Sequence, residues 1–186
     1  MRFAYPMVQY KIVDGRPTVV GLGMRRELAG LRGRMVLDVG REARVFEVAA
    51  VDTVPYVPAV EDGPMMYALR RYLPLNADNA ARFDAMPALT DRVCLLERTI
   101  TANILSFFKG VGFRCADAVD VAISSIESES RLRYKGVFFR GFDLTFIANV
   151  RLPDAIGLGK SPSVGFGVLS RLSLPERFAK SLARRL

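Results

Sequence analysis

The sequence predicts an α+β fold of one or two ferredoxin-like units, and three observations carry that prediction. Helical and extended patterns alternate irregularly along the 186 residues. The extended segments are too few for a doubly wound parallel sheet, and turn dipeptides mark hairpins instead. Hydrophobic residues make up 51% of the chain and aromatic residues 10%, which is enough for a buried core and excludes wholesale disorder.

Residues 7–13 and 17–22 (MVQYKIV and PTVVGL) are rich in strand formers. Asp14-Gly15 between them is a tight-turn signal, so they are expected to pair. Residues 24–31 can form a short helix, closed by the glycines and arginines of GLRGR. Residues 34–39 and 43–51 again read as strands, and Pro55 and Pro58 stiffen the exit. Residues 65–73 (MMYALRRYL) fit either a strand or a helix, and a short helix is expected over 77–83.

The clearest helix begins at Thr90 or Asp91 and runs to Lys109. Val93, Leu96, Ile100, Ile104 and Phe107 trace one apolar face, and Lys109-Gly110 forms a cationic end before a glycine. Two long strands are expected over 117–129 and 133–150, the second aromatic enough to suggest burial on both faces. A glycine-rich loop (157–163) then leads to a last strand at 164–172. The tail, SLPERFAKSLARRL, has an amphipathic helical pattern with capping-box spacing at Ser173 and Glu176. It is expected to pack on the domain or on a partner.

The net charge of +8 favours a polyanionic partner, nucleic acid or an anionic membrane surface. No apolar run is long enough for a membrane span and no signal-peptide pattern opens the chain, which points to the cytoplasm. Cys94 and Cys115 are expected as small buried hydrophobes in a reducing compartment. The chain has no histidine, no close cysteine pair and no EF-hand spacing, so neither a metal nor another cofactor is expected.

The most informative stretch is 152–169, LPDAIGLGKSPSVGFGVL. Gly157, Gly159, Gly165 and Gly167 bracket Lys160, Ser161 and Ser163. Glycines allow backbone N–H groups to approach a phosphate, and the lysine and hydroxyls add charge and donors. Gly159-Lys160-Ser161 imitates the end of a P-loop, but Asp154 stands where that motif needs its first glycine.

This loop resembles the C-terminal glycine-rich loop of the CRISPR-associated crRNA-processing endoribonucleases (the Cas6-like family). Four further segments are similar in order: YPMVQYKIVDGRPTVVGL, LPLNADNAARF, LLERTITANILSFFKGVGF and KGVFFRGFDLTFIANVRLPDAIGLGK. The resemblance implies tandem ferredoxin-like halves, here 1–88 and 89–172, followed by the basic helix at 173–186. It implies a role in antiviral defence, with CRISPR repeat RNA held by Gly157, Gly159, Lys160, Ser161, Ser163, Gly165 and Gly167. Lys109, Arg131, Arg133, Lys135 and Arg140 are candidates for further phosphate contacts. CRISPR effector subunits and a second copy of the chain are candidate protein partners. Pro162 and Val164 depart from the family, making this loop stiffer and less charged.

The family reaction is metal-free attack of a ribose 2′-hydroxyl on the adjacent phosphate, leaving a 2′,3′-cyclic phosphate. It needs a base, an acid and positive charge at the phosphorane, and histidine suits both proton roles. Relatives carry a further N-terminal strand and a His-bearing stretch before the YPMVQYK segment, so the first unit is expected to be shortened at its N-terminus. The remaining catalytic candidates are Tyr5, Tyr10 and Lys11, with Arg25 and Arg26 as possible charge donors. Free tyrosine and lysine titrate near about 10, so either acts as a base at neutral pH only if shifted. Three functions follow: repeat-RNA binding with weak, noncanonical or lost cleavage, full endoribonuclease activity without histidine, or a non-catalytic subunit of an RNA–protein complex.

Overall fold

The computed structural model describes residues 4–39 and 42–175. Most of the expected tail helix lies outside the described residues. The architecture is α+β, with antiparallel strands throughout the described sheets.

The N-terminal strands pair as two separate hairpins. β1 (Val8–Val13) pairs with β2 (Arg16–Gly21), and the turn residues Asp14 and Gly15 have φ of 48° and 74°. Positive φ at both turn positions matches the right-handed twist of the flanking strands, which is why this dipeptide was a legible signal. After α1 (Arg25–Ala29), β3 (Arg34–Val39) pairs with β4 (Glu42–Glu47), which ends earlier than expected.

The remainder is built on a four-stranded sheet. The ambiguous segment at 65–73 is a strand, part of β5 (Ala59–Tyr72). α2 (Ala77–Ala85) and α3 (Leu89–Gly110) follow, then β6 (Val121–Tyr134), β7 (Val137–Arg151) and β8 (Val168–Leu172). The order β6-β7-β5-β8 is that of a ferredoxin-like sheet, with the loop at 152–167 where a second helix would cross. β5 is the first strand of this unit, so the expected division at 88/89 falls inside it. Pro64 is accommodated by a register shift between Val60 and Met65, because proline has no N–H for the ladder.

Even-numbered residues of β7 (Phe142, Leu144, Phe146, Ala148 and Val150) face the core, together with Leu96, Ile100, Ile104, Phe107 and Phe108 of α3. Each fully buried Leu, Ile, Val or Phe side chain among them contributes ~1.5–3 kcal/mol. α3 overruns its expected stop: Gly110 is still helical, and its missing side chain makes room for Tyr5, whose Cβ would lie 2.5 Å from a Cβ there. Cys94 is exposed and Cys115 only half-buried, against the expectation. Cys94 lies two residues from Leu96 on a 3.6-residue helix, hence off the buried face. No helix among the described residues is long and apolar enough to cross a membrane.

Candidate nucleic-acid interface

The glycine loop folds over the end of β5 and is held from beneath by β1. Alternate residues of a strand face opposite sides. In β1 the polar parity faces inward: Gln9 is 0% exposed and Lys11 4%, whereas Tyr10 is 61% exposed beside the equally open Ile12. Gln9 uses both ends of its amide. Its Oε1 accepts from the N–H of Gly157 at 2.8 Å, and its Nε2 donates to the Tyr5 hydroxyl (2.9 Å) and the Pro6 carbonyl (3.0 Å). Tyr5 in turn donates to the Gly157 carbonyl at 2.7 Å, so Gly157 is gripped through both of its backbone groups.

Lys11 completes this underside. Its ammonium donates to the carbonyl of Pro162 at 3.1 Å, and no carboxylate among the described residues forms an ion pair with it. Burial disfavours the charged form and lowers its pKa to about 8. For Tyr5, burial outweighs the hydrogen bonds to Gln9 and Gly157 and pushes the hydroxyl up to about 12.

The loop itself is tightly packed. Leu158 N–H bonds to the Gly167 carbonyl, Lys160 N–H to Leu73 and Gly167 N–H to Arg71, all within 2.9–3.0 Å. A Cβ at Gly159 would lie 2.6 Å from the Tyr72 ring, and one at Gly167 would run into the Leu158 carbonyl. These two glycines, both at positive φ, are therefore required by packing within the protein. Pro162 opens a single 3-10 turn (Pro162–Val164) resting on β1. The expected last strand at 164–172 consequently begins only at Val168. The N–H groups of Gly159 and Ser161 have no protein acceptor among the described residues.

Beside the loop, the β6–β7 hairpin carries interleaved cations and aromatic rings. Its turn is Lys135-Gly136, both at positive φ, later than the break expected near 130–132. On one face, the guanidinium carbons of Arg131 and Arg133 lie 5.0 and 6.0 Å from the Phe138 ring centroid. Phe138 is 55% exposed. Elsewhere, the Lys160 ammonium lies 4.1 Å from the Phe139 ring, Lys135 approaches Tyr134, and Tyr134 meets Phe166 edge-on. Arg71 lies over Phe166. By strand alternation these groups lie on two faces of the hairpin: Arg131, Arg133 and Phe138 share the face that carries the helices, while Tyr134 and Phe139 lie on the other, where Lys160, Phe166 and Arg71 join them.

The structure divides the sequence candidates. Lys160, Ser161, Ser163, Gly159, Gly165 and Lys135 belong to the loop-side surface or border it, and Arg131 and Arg133 lie on the other face of the hairpin. Gly157 and Gly167 lie behind the loop-side surface, their N–H groups bonded to Gln9 and Arg71. Arg140 pairs with Asp84 (2.6 Å) and Glu129 (3.3 Å) and lies over Phe83, which ties its charge to α2 and sets it apart from the loop-side candidates. Lys109 is exposed in the last turn of α3, where it complements the carbonyl end of the helix. Tyr5 and Lys11 share the underside of the loop, but Tyr10 does not join them. Tyr5 is an anchor whose shift runs against service as a base at neutral pH. Sequence reasoning missed Gln9, Arg71, Phe138 and Phe166; the parity shared by Gln9 and Lys11 was the available signal for the first.

Residues 59–172 match the family model of the Cas6b C-terminal domain. Among curated proteins, the uncharacterized protein MJ0978 of Methanocaldococcus jannaschii is 32% identical over 78 residues, 42% of this chain and 52% of that protein. The matched part spans about half of that relative's length. A solved structure described as Cas6b superposes with a TM-score of 0.72 at 25% identity, covering 91% of both chains. Another, described as the CRISPR RNA processing endoribonuclease Cas6b, gives 0.70 at 24% identity, covering 91% of this chain and 83% of that one. Csf5, described as the type IV Cas6 crRNA endonuclease, shares the fold with a TM-score of 0.61 at 14% identity, covering 90% and 68%. The family match spans the whole four-stranded unit and the glycine loop that β1 grips from beneath, and on that match the chain belongs to the Cas6b family.

Proposed function

We propose that this protein binds CRISPR repeat RNA through the glycine loop and the β6–β7 hairpin, with cleavage weak, noncanonical or lost. The observation that supports this best is the set of cations held against rings there: Lys160 on Phe139 and Lys135 on Tyr134 beside the loop, and Arg131 and Arg133 on the exposed Phe138 across the hairpin. Cations supply the salt-dependent attraction to phosphates, and exposed rings supply stacking to unpaired bases. The family match at 59–172 and the resemblance of 91% of the chain to a solved Cas6b structure support RNA of the CRISPR repeat class as the ligand. With no histidine in the chain, the proton transfers of the family reaction have no imidazole to use.

A second reading is metal-independent cleavage through Lys11, whose burial lowers its pKa to about 8 but whose amine, held on the Pro162 carbonyl beneath the loop, would first have to be freed to meet the RNA. An amine near that value is partly neutral close to physiological pH, as a general base requires. One assay separates the two. The protein is incubated with repeat RNA in EDTA, and both binding and products are measured. Salt-dependent binding without products supports the first reading. Cyclic-phosphate ends that vanish with Lys11→Ala, while binding persists, support the second. Absence of RNA binding at any salt concentration refutes both and leaves a docking subunit of an RNA–protein complex.

A further inference from the structure

We propose that Arg71 is a phosphate clamp: a β-bulge aims its guanidinium at the glycine loop, where it grips a phosphodiester of the bound RNA. The inference rests on reading the surface as RNA-binding. The bulge is explicit in the register. Leu69 pairs with Leu144 and Tyr72 with Phe142, so Arg70 and Arg71 together oppose Asp143. Bulges of this kind re-aim a side chain and are enriched beside functional sites.

The backbone is strained where the bulge turns. Arg71 has a φ of 51°, a left-handed conformation that suits glycine and disfavours a residue with a Cβ. The neighbours hold it there: Arg71 N–H donates to Asp143 Oδ1 at 2.7 Å, and its carbonyl accepts from Gly167 N–H at 3.0 Å. Asp143 is also bonded to Ser128 Oγ at 3.1 Å, which fixes the carboxylate. Neither contact uses the Arg71 side chain. Backbone geometry alone would therefore be better served by glycine.

The side chain is placed for an anion. Its guanidinium carbon lies 4.8 Å from the Phe166 ring centroid, and no carboxylate pairs with it among the described residues. The adjacent Arg70 differs, being paired with Glu127 at 3.2 Å. A ring beneath a guanidinium leaves the in-plane N–H groups aimed elsewhere, and their fork fits two oxygens of a phosphate. Both limbs of the loop flank the site: Gly167 bonds to Arg71 itself, and Lys160 to Leu73 two residues on.

The test compares Arg71→Gly and Arg71→Lys with the wild-type protein, by fluorescence anisotropy on repeat RNA and on a scrambled RNA across salt concentrations. Arg71→Gly should unfold at the same or a higher urea concentration, because glycine accepts the positive φ. Its affinity should fall about tenfold on both RNAs, and the salt dependence should weaken by about one phosphate contact. Arg71→Lys should keep the salt slope and recover only part of the affinity, since the fork is lost. Undiminished binding by Arg71→Gly overturns the proposal. A loss confined to one RNA sequence indicates base-edge readout and overturns the phosphate assignment. A wild-type protein that binds neither RNA overturns the RNA reading together with it.

Discussion

Replacing Lys11 with methionine tests whether the ammonium beneath the loop is charged, buried and without a counter-ion. Methionine keeps an unbranched stem of similar length and removes the titrating group. In the unfolded chain the amine titrates near 10.5, in the folded protein at about 8. Between these values the unfolded chain binds more protons, so wild-type stability rises with pH. The penalty for burying the charge is full below about pH 8 and is relieved as the pH climbs towards 10.5. By linkage, the wild-type protein should gain about 2 kcal/mol between about pH 7 and about pH 9.5 relative to Lys11→Met. Loss of the hydrogen bond to Pro162 adds an offset of ~1 kcal/mol against the variant, but that offset does not change with pH. Urea unfolding of both proteins at the two pH values measures the difference of differences, in which other titrating groups cancel. A change smaller than about 0.5 kcal/mol would show that Lys11 is solvated or paired, and the reasoning about its chemistry would fall with it.

Gln9→Ala should destabilise the fold by ~1–3 kcal/mol, because it leaves the buried Gly157 N–H without an acceptor. Repeat-RNA affinity should fall with it, as the loop loses its hold from beneath; urea unfolding and anisotropy check the pair of effects. Phe138→Ala, at a ring more than half exposed, should leave unfolding within about 0.5 kcal/mol of wild type. Its affinity for single-stranded RNA should drop by the ~1–3 kcal/mol typical of a lost stacking platform, and equal affinity would remove Phe138 from the interface. Ile104→Ala, at a fully buried position of α3, should cost about 2–5 kcal/mol in urea unfolding.

Segments with one dominant local cause were legible. Asp14-Gly15 demanded its hairpin turn, and α3 announced its buried face through Leu96, Ile100, Ile104 and Phe107. Features fixed by tertiary contacts were not. The turn at Lys135-Gly136 was missed because charged SESRLRY looks locally like a break, yet it continues β6 against β7. Parity in β1 reads backwards: Tyr10 and Ile12 look like the inward face, but Gln9 and Lys11 hold that side because the loop supplies their hydrogen-bond partners. The pairing of Arg140 with Asp84, a residue distant in sequence, was likewise not legible. The glycines were recognised as a functional loop for a reason that holds only in part. At Gly159 and Gly167, side chains are excluded by Tyr72, Leu73 and Leu158 before any ligand is considered.

The same sheet explains why RNA binding is proposed at its end and not on the middle of the face opposite the helices. Sheets of this type commonly bind RNA by stacking bases on aromatic residues in the middle of the face opposite the helices. Here, the paired residues there are Ala68, Thr145 and Ser125, with Met66 and Ile147 beside them. Glu127 joins them, accepting from Ser125 and Thr145 and pairing with Arg70. Burial would raise the Glu127 carboxyl, but the two hydroxyls and Arg70 outweigh it and hold the pKa below its ordinary value. The group therefore remains an anion on the face that a phosphate backbone would have to cross, with Asp143 on the neighbouring strand. The rings that could stack are displaced to the hairpin end, where Phe138, Phe139 and Tyr134 are interleaved with cations. Among the described residues, rings and cations thus gather at the hairpin end, beside the glycine loop. That same loop is held at Gly157 through Gln9 and Tyr5, so a change at either should alter RNA binding without touching RNA.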